Sequence, residues 1–454
     1  MASPINPKIF RDYDIRGVYP DDINEDTYYT IGRSVCVFLH VSRIAVGFDM
    51  RLSSPSLFDS LTKGIMDQGV DVVNLGRIST EMHNFASGKF QFDANIIISA
   101  SHNPAQYNGI KIVTSGAVPL HGQRGLPEIR DIATNGNFPR ASKKGTMSDF
   151  AIEKEWIRHA LSFVNKEKIR PLRVVIDAGN GMGGVSWNLL EKYLPIKIHK
   201  LYFEPDGRFP HHLPDPLNEK NLIDIQKSIR NTHADVGFAI DGDADRLFVL
   251  DENGTVLSGT TTTALLAKFF LLKKGPASVL YNAVCGKIVP ETVEKSGGIP
   301  IRVRVGHSFI KEYMKKENAL FAGEHSGHFY FRENYYADSS TIAGLAFLQF
   351  LSEGEKKLSS IVSETQIYFQ SGEVNFRTTE ATSILERLEK IFHDGKTDHL
   401  DGLSLWYPNW WVNMRVSKTE PYLRVNLEAN TKDILRVQMN KIEELIKSFG
   451  GSKV

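Results

Sequence analysis

The stretch ADVGFAIDGDADRLFVLDENG, at residues 234–254, indicates the fold of this chain most directly. Two apolar runs, VGFAI and LFVL, flank a short acidic loop, and neither run alternates between apolar and polar residues. Continuous apolar runs of this length are typical of strands that are buried on both faces. We therefore expect a hairpin-like pair of strands inside a layered domain, joined by the acidic loop.

Similar β-branched runs recur along the chain, and most of them are apolar on both faces. They are RIAVGF from Arg43, VDVVNLG from Val70, NIIISA from Asn95, RVVIDAG from Arg173, SVLYNAV from Ser278 and IPIRVRV from Ile299. Stretches with helical periodicity lie between them, for example at residues 54–69 and 288–298. This alternation of strands and helices predicts an α/β fold built from layers.

The length of 454 residues corresponds to about three domains, with two to four possible. A polar, turn-rich segment at residues 121–150 places one boundary near residue 147, and further boundaries are expected near Gly254 and Gly372. We predict α/β domains at residues 1–147, 148–254 and 255–371, then a smaller α+β domain at residues 372–454 that ends in an amphipathic helix at residues 432–449.

The charge balance and the cysteine content exclude several classes of protein. The chain has 54 basic and 53 acidic side chains, and such a balanced surface is unsuited to general nucleic-acid binding. The balance does not exclude a local basic cleft. Two cysteines, Cys36 and Cys285, do not make a disulfide scaffold. The start MASPINPKIF is not a signal peptide, and no apolar run reaches the roughly 20 residues that span a bilayer. We expect a soluble cytoplasmic protein with no membrane or nucleic-acid partner.

The segment SASHNPAQYNGIK, at residues 99–111, is the first candidate for chemistry. It follows a buried strand, and polar loops at the carboxyl ends of strands are where α/β sheets bind ligands. Ser101 offers a nucleophilic hydroxyl, His102 and Asn103 offer hydrogen-bond donors, and Lys111 can neutralise a phosphate group. An ordinary Ser/Asn/Pro turn with a capping serine explains the segment equally well by itself.

The loop DGDADR carries Asp241, Asp243 and Asp245 at alternate positions, followed by Arg246. Alternate side chains of an extended chain point the same way, so the three carboxylates are expected to converge. Such a cluster suits Mg²⁺, and Arg246 can hold a phosphate group with two hydrogen bonds. An acidic hairpin turn is the alternative. A calcium loop between helices is excluded, because strands flank the segment and Arg246 occupies the position that requires glycine.

The segment GEHSGH, at residues 323–328, offers a third set of polar groups. Glu324 and Ser326 lie two residues apart, a spacing suited to binding two sugar hydroxyls. His328 can exchange protons near neutral pH, although a purely structural histidine fits the pattern too.

The segment RVSKTEP, at residues 415–421, alternates Arg415, Ser417 and Thr419. An arginine with hydroxyls and turn amides makes a cradle for phosphate, and a surface hairpin turn is the alternative. The four loops fall in four different predicted domains. A cleft shared by these domains would bring a hydroxyl, a metal site, a sugar site and a phosphate site together.

The order of SASHNP, DGDADR, GEHSGH and R-x-S-x-T-E-P, after an initial FRDYDIRG, resembles the α-D-phosphohexomutase family, in its phosphomannomutase/phosphoglucomutase group. The resemblance runs nearly end to end. It implies three related α/β domains with mixed sheets and a smaller C-terminal α+β domain around a central cleft. It also implies conversion of hexose 6-phosphate to hexose 1-phosphate through a phosphoserine, Mg²⁺ and a hexose 1,6-bisphosphate that serves as intermediate and activator.

The resemblance further assigns roles to single residues. The implied metal ligands are Ser101, Asp241, Asp243 and Asp245, with Ser101 as the phosphoserine. The implied catalytic residues are Ser101, His102, Lys111, Arg246 and His328, of which Lys111 and His328 are the proton-transfer candidates. The implied substrate-binding residues are Tyr13, Arg16, His307, Lys311, Glu324, Ser326, Arg415, Ser417 and Thr419.

Two positions depart from the family pattern. Lys418 replaces an asparagine of the phosphate loop, and Val284 stands where relatives often carry a substrate-contacting lysine, for which Lys287 is a possible substitute. A phosphoglucosamine mutase is one alternative, although that group tends to have G-E-Q-S-G where this chain has G-E-H-S-G. A phosphatase-like hydrolase and a catalytically silent sugar-phosphate binder are the others. The preference for mannose or glucose and the choice between monomer and homodimer stay open.

Overall fold

Four β-sheets follow one another along the chain in the computed structural model, which describes residues 5–365, 367–417 and 421–454. The first three sheets mix parallel and antiparallel pairs and are covered by helices. The pairs of the fourth sheet are all antiparallel. This arrangement confirms the predicted fold class of three α/β units and a C-terminal α+β unit.

The first sheet has the strand order β1-β5-β4-β2-β3-β7, with β6 added to β5. Its strands are β1 (Ile15–Val18), β2 (Arg43–Phe48), β3 (Asp71–Arg77), β4 (Ala94–Ile98), β5 (Tyr107–Thr114), β6 (Val118–Pro119) and β7 (Met147–Asp149). Its helices are α1 (Glu25–Leu39), α2 (Ser54–Asp67), α3 (Thr80–Phe90) and α4 (Leu126–Asn135). All five residues of β4 are buried, as the continuous apolar run predicts.

The second and third sheets have the orders β11-β10-β8-β9 and β13-β12-β14-β15-β16. The second unit contains α5 (Glu153–Ser162), β8 (Arg173–Asp177), α6 (Gly183–Leu190), β9 (Lys197–Leu201), α7 (Ile223–Thr232), β10 (Val236–Ile240) and β11 (Leu247–Leu250). The third contains α8 (Gly259–Lys274), β12 (Ser278–Asn282), α9 (Ile288–Lys295), β13 (Ile299–Val303), α10 (His307–Lys316), β14 (Phe321–Gly323), β15 (Phe329–Phe331), β16 (Ala337–Asp338) and α11 (Ser340–Ser352).

The fourth sheet has the order β18-β19-β20-β21-β17-β22. Helix α12 (Leu358–Thr365) packs against the core of the first three units and precedes the fourth. The fourth unit contains β17 (Phe369–Arg377), α13 (Ala381–Ile391), β18 (Lys396–Asp398), β19 (Leu403–Trp406), β20 (Trp410–Val416), β21 (Tyr422–Ala429), α14 (Lys432–Ser448) and β22 (Ser452–Lys453). The helices expected at residues 54–69, 288–298 and 432–449 are confirmed as α2, α9 and α14. The exact domain boundaries stay a prediction.

The first three units repeat one local arrangement, and this repeat positions the candidate site. In each unit a strand that is paired in parallel on one side turns through a loop into an antiparallel partner. The strand pairs are β4 with β5, β10 with β11, and β14 with β15. The three connecting loops carry SASHNP, DGDADR and GEHSGH, so equivalent corners of three related units supply three of the candidate motifs.

The core shows which units are packed together most tightly. One apolar cluster runs through the first three units and includes Phe85 of α3, Trp187 of α6 and Phe347 of α11. The fourth unit has a separate cluster, from Phe376 to Ile446. None of the described helices is both long and apolar enough to cross a bilayer.

Candidate active site

Ser101 lies just after β4, where the backbone leaves the first sheet. The residue is 3% exposed, and its φ of 48° is in the left-handed region, which is uncommon outside glycine and often marks functional sites. The Ser101 hydroxyl donates a 2.8 Å hydrogen bond to Oδ2 of Asp241, in the loop between β10 and β11. The predicted nucleophile therefore touches the predicted metal loop, although the two residues are 140 positions apart.

Arg51, which the sequence analysis did not single out, holds the Ser101 loop by hydrogen bonds to its backbone. Its guanidinium donates at 2.7–2.9 Å to four backbone carbonyls, those of Ser101, Asn103, Pro104 and Tyr107. Asp49 lies 3.4 Å from the Arg51 Nε atom, and both side chains are fully buried. A buried arginine that serves four carbonyls fixes the shape of this loop. The only local signal was a charged pair directly after an apolar strand.

The loop between β10 and β11 brings its three aspartates together. One carboxylate oxygen from each of Asp241, Asp243 and Asp245 lies within 4.8 Å of the other two. The expected reason for this convergence is wrong, because the loop is a tight turn with Ala244 at φ 65° and not extended chain. The Oδ1 atoms of Asp243 and Asp245 are buried without a hydrogen-bond partner among the described residues. Converging carboxylate oxygens that accept no hydrogen bond suit a hard cation such as Mg²⁺.

Lys111 of β5 balances part of this negative charge. Its ammonium group lies 2.6 Å from Asp243 Oδ2 and 2.9 Å from Asp245 Oδ2. Burial acts to lower the pKa of Lys111, but the two carboxylates outweigh it and raise that pKa above its usual range. Burial acts to raise the pKa of Asp245, yet Lys111, His328 and Arg246 hold it well below its usual range. Asp245 and Lys111 are therefore a charged pair.

Gly242 allows the close approach of the metal loop to the Ser101 loop. A Cβ atom on Gly242 would lie 2.4 Å from the carbonyl oxygen of Ser101, so only glycine fits there without a shift. The Gly242 carbonyl accepts a 2.8 Å hydrogen bond from the amide of Met182. Met182 belongs to the glycine-rich segment at residues 177–184, which therefore packs against the metal loop.

Arg246 and His102 stand beside the Ser101 hydroxyl. The Arg246 Nε atom is 3.4 Å from Asp241 Oδ2, and its guanidinium contacts the ring of His102. The His102 Nδ1 atom is 3.1 Å from Ser101 Oγ. Burial, followed by the charges of Arg246 and Arg16, holds the pKa of His102 well below its usual range. His102 is therefore a neutral hydrogen-bonding group at this position.

The GEHSGH loop reaches the metal loop through His328. His328 Nε2 lies 3.4 Å from Asp245 Oδ1, and Arg246 and His328 form a short antiparallel bridge. Burial opposes the charge on His328, but Asp245 raises its pKa overall. Glu324 accepts a 2.5 Å hydrogen bond from the Tyr330 hydroxyl, and Ser326 lies 2.9 Å from His328 Nδ1.

The first and third units contribute a further wall of the site. The rings of Tyr13 and His307 meet edge to face with centroids 5.3 Å apart. Burial, and then Asp12, raises the pKa of Tyr13 to about 12, whereas burial and then Lys311 lower the pKa of His307 to about 3. Lys311 pairs with Asp338 at 2.9 Å. Arg16 contacts the side chains of Asn103, in the Ser101 loop, and Asp14.

The fourth unit presents Arg415 at the end of β20. Its guanidinium lies 2.8 Å from Glu373, which also pairs with Arg424 at 2.9 Å. The sequence analysis missed Arg424 and Glu373, although Arg424 is directly opposite Arg415 in the pairing of β20 with β21. Ser417 is 9% exposed, and its amide donates to Tyr422. Thr419 and Lys418 lie outside the described residues.

Of the two positions that depart from the family pattern, Lys418 lies outside the described residues, whereas Val284 and its possible substitute Lys287 are described. Val284 is buried. The Lys287 amide donates a 2.9 Å hydrogen bond to Glu428, and its ammonium group lies 6.0 Å from the centre of the Tyr368 ring. Lys287 therefore contacts the junction with the last unit.

Family models match this chain in three consecutive segments. Those described as phosphoglucomutase/phosphomannomutase, alpha/beta/alpha domains I, II and III, match residues 7–140, 154–254 and 258–368. These segments cover more than half of the chain and include the loops with Ser101, the three aspartates and Glu324.

Complete relatives align with nearly the whole chain. A phosphomannomutase of Vibrio cholerae is 37% identical over 96% of this chain and 97% of its own length. A Xanthomonas campestris protein described as phosphohexose mutases is 35% identical over 96% of this chain and 99% of its own. The crystal structure of a phosphoglucomutase/phosphomannomutase family protein from Burkholderia thailandensis matches with a TM-score of 0.89 and 28% identity, over 99% of both chains.

Proposed function

The chain belongs to the α-D-phosphohexomutase family, and from this membership we propose that Ser101 carries the phosphoryl group that is transferred. The enzyme is an isomerase with phosphomannomutase/phosphoglucomutase activity, and it interconverts hexose 6-phosphate and hexose 1-phosphate. The observation that carries the assignment is the 2.8 Å contact of the Ser101 hydroxyl with Asp241, beside the Oδ1 atoms of Asp243 and Asp245, which accept no hydrogen bond from the described residues.

We assign Asp241, Asp243 and Asp245 as the residues that hold Mg²⁺, with an oxygen of phosphorylated Ser101 as a further ligand. The two Oδ1 atoms in the loop that accept no hydrogen bond from the described residues support this choice. When bound, Mg²⁺ neutralises charge that develops on the transferring phosphoryl group. Lys111 touches two of the three carboxylates and supplies positive charge of the chain's own at the same place.

In the proposed cycle, the bond between phosphorus and Ser101 Oγ breaks as a bond forms to the free hydroxyl of the sugar. The product is a hexose 1,6-bisphosphate. Of the two proton-transfer candidates, Lys111 is held in its charged form by Asp243 and Asp245 and can only donate a proton, so the proton of the hydroxyl passes to His328, which contacts Asp245. The bisphosphate then turns end for end and returns its other phosphoryl group to Ser101. Arg246 and His102, which touch each other beside Ser101, stabilise the charge of this group.

The remaining assigned residues bind the substrate between the units. Glu324 and Ser326 bind sugar hydroxyls, and Arg415 with Ser417 and Thr419 binds the phosphate group that does not react. The further lining residues are Tyr13, Arg16, His307 and Lys311. The contact of His328 with Asp245 supports the part assigned to Glu324 and Ser326, because the GEHSGH loop that carries them lies beside the DGDADR loop.

A paired mutase assay tests the assignment. The wild-type protein, with Mg²⁺ and a trace of hexose 1,6-bisphosphate as activator, should convert mannose 1-phosphate, glucose 1-phosphate or both. Mass spectrometry should find phosphate on Ser101. Ser101→Ala should lose nearly all turnover, whereas Ser115→Ala, at an exposed serine, should not. Turnover of Ser101→Ala above about 5% of wild type would count against the assignment.

The same assay separates the possible substrates. Similar efficiency with both sugars would mean that the site ignores the 2-hydroxyl, and one dominant sugar would set the specificity. If neither sugar reacts although Ser101 is phosphorylated, an amino sugar such as glucosamine 6-phosphate becomes the candidate. We further propose a cytoplasmic monomer or homodimer, and the two buried, free cysteines are compatible with the reducing cytoplasm.

A further inference from the structure

A basic cavity lies on the first α/β unit, away from the candidate active site. It has a volume of about 310 Å³ and opens between α1, α2 and the segment that leads from α4 to β7. Its lining consists of Tyr29, Arg33, Asp67, Phe138, Arg140, Ala141, Lys143 and Lys144. No residue assigned to the mutase reaction belongs to this set.

The topology of the first sheet separates the cavity from Ser101. Helix α2 begins near the carboxyl end of β2, the same edge of the sheet at which β4 delivers Ser101. Helix α2 has 14 residues and is about 20 Å long at 1.5 Å per residue, and Asp67 is its last residue. The cavity therefore lies at the opposite edge of the sheet, and a ligand bound there does not contact the reacting groups.

Arg33 is held in place at the base of the cavity. Its Nε atom donates a 3.0 Å hydrogen bond to the Gln68 side chain, and its guanidinium lies 4.3 Å from the centre of the Phe138 ring. Gln68 also donates to the Pro139 carbonyl at 2.6 Å, which ties the same segment down. The two terminal nitrogens of Arg33 have no acceptor among the residues that the structure describes. They are available to a ligand without reorganisation of the arginine.

The lining carries four cationic side chains and one carboxylate, a net charge of +3. The carboxylate of Asp67 is already engaged, by Lys144 at 2.9 Å and by the Tyr29 hydroxyl at 3.0 Å. Arg140 and Lys143 form no ion pair with any described residue. The whole chain carries a net charge of only +1, so positive charge is concentrated at this cavity.

We propose that this cavity binds a small molecule that carries a diphosphate group. The guanidinium of Arg33 can grip one phosphate with two hydrogen bonds, and the flexible ammonium of Lys143 and the guanidinium of Arg140 can reach a second phosphate. A volume of about 310 Å³ exceeds what one phosphate fills and is in the range of small-ligand sites. The cavity is concave and small, unlike the extended basic stripe that a nucleic acid needs.

Equilibrium dialysis of radiolabelled inorganic diphosphate against Ser101→Ala protein tests the proposal. Saturating glucose 1,6-bisphosphate displaces any label from the active-site cleft, and the remaining label reports the cavity. We expect about one diphosphate per chain to remain bound. The double variant Arg33→Gln/Lys143→Gln should weaken this binding at least tenfold. The control Lys227→Gln/Lys295→Gln, which removes two exposed lysines elsewhere, should leave it unchanged.

Three results would overturn the proposal: no bound label, complete displacement by the bisphosphate, or equal binding by the cavity and control variants. Failure of the bisphosphate itself to bind would count against the mutase site and not against the cavity. Tighter binding of a nucleoside diphosphate than of inorganic diphosphate would identify an ester as the ligand, and the reverse would identify the inorganic ion. With Ser101 intact, Arg33→Gln/Lys143→Gln should keep wild-type turnover, which checks its folding.

Discussion

Thr80 holds Asp243 by two hydrogen bonds: its hydroxyl donates to Asp243 Oδ2 at 2.5 Å, and its amide donates to the Asp243 carbonyl at 2.9 Å. Thr80 is the first residue of α3 in the first unit, whereas Asp243 belongs to the metal loop of the second. A residue of one unit therefore fixes both the backbone and the carboxylate of a proposed metal ligand in another.

We predict that Thr80→Val weakens Mg²⁺ binding about 10- to 100-fold, because groups that orient metal ligands typically have effects of this size. Isothermal titration of Mg²⁺ into the purified variant measures the affinity without requiring turnover. Thr62→Val is the matched control, since Thr62 is also buried in a helix but donates to the Phe58 carbonyl, far from the metal loop. Equal Mg²⁺ affinity of the two variants would show that Thr80 does not orient Asp243.

Arg51→Lys should lower kcat about 100-fold, because a misplacement of about 1 Å at a reacting group has effects of that order. A lysine cannot reproduce the planar guanidinium that serves four carbonyls of the Ser101 loop. Hydrogen exchange should also become faster at residues 101–107. Arg43→Lys, at an exposed arginine on β2, is the control and should match the wild type in both measurements. A normal exchange rate in the Arg51 variant would contradict this role.

Gly242→Ala should destabilise the fold by about 2 kcal/mol and lower turnover, because the new Cβ would overlap the Ser101 carbonyl oxygen at 2.4 Å. That oxygen accepts from Arg51 and cannot easily move. Urea unfolding gives the stability, and the mutase assay gives the turnover. Gly354→Ala is the control, because its new Cβ would have no atom within 4 Å. Its free energy of unfolding should stay within about 0.5 kcal/mol of wild type. Wild-type stability of both variants would show that the loops can separate freely.

The sequence predicted the strands and the positions of the loops well, because both depend on local patterns. Runs such as RIAVGF and VGFAI became β2 and β10, and the polar segments after buried strands became the loops that meet at the site. Of the four loops that were expected to share a cleft, the SASHNP, DGDADR and GEHSGH loops contact one another, and the meeting of the RVSKTEP loop with them stays a prediction. His328 and Asp245, 83 positions apart, lie 3.4 Å from each other.

The residues that hold these loops in place could not be recognised from the local sequence pattern around them. Arg51 serves carbonyls about 50 positions away, and Glu373 pairs with arginines on two neighbouring strands. Such contacts depend on how loops and strands that are distant in the sequence pack together within one unit, which neither periodicity nor spacing encodes. The three aspartates show a related limit. Their convergence was predicted, but a turn with Ala244 in the left-handed region produces it, and an alternating pattern does not distinguish that turn from extended chain.

Glu81, next to Thr80, is a fully buried carboxylate at the meeting point of three units. It accepts hydrogen bonds from the hydroxyls of Ser186, Ser339 and Thr341 at 2.5–2.6 Å and from the Thr341 amide at 3.1 Å. Burial raises its pKa, although these hydrogen bonds act in the opposite direction. Ser339 caps α11, so the carboxylate also lies at the positive end of a helix dipole.

Glu81→Ala should lower the free energy of unfolding by about 3 kcal/mol, because it leaves several buried donors without an acceptor. Glu81→Gln keeps the size of the side chain and one acceptor oxygen, so it should lower the free energy of unfolding by about half as much as Glu81→Ala. Urea unfolding followed by tryptophan fluorescence measures both, and the buried Trp187, close to Ser186 in α6, is a natural reporter.

Glu252→Ala is the control for this pair of variants. Glu252 also joins two elements, by accepting from the amide and hydroxyl of Ser359, but it is only partly buried. Its loss should cost less than about 1 kcal/mol, because water can replace the missing acceptor. If Glu81→Ala and Glu252→Ala are equally stable, the carboxylate of Glu81 does not hold the three units together, and their shared apolar core alone does so.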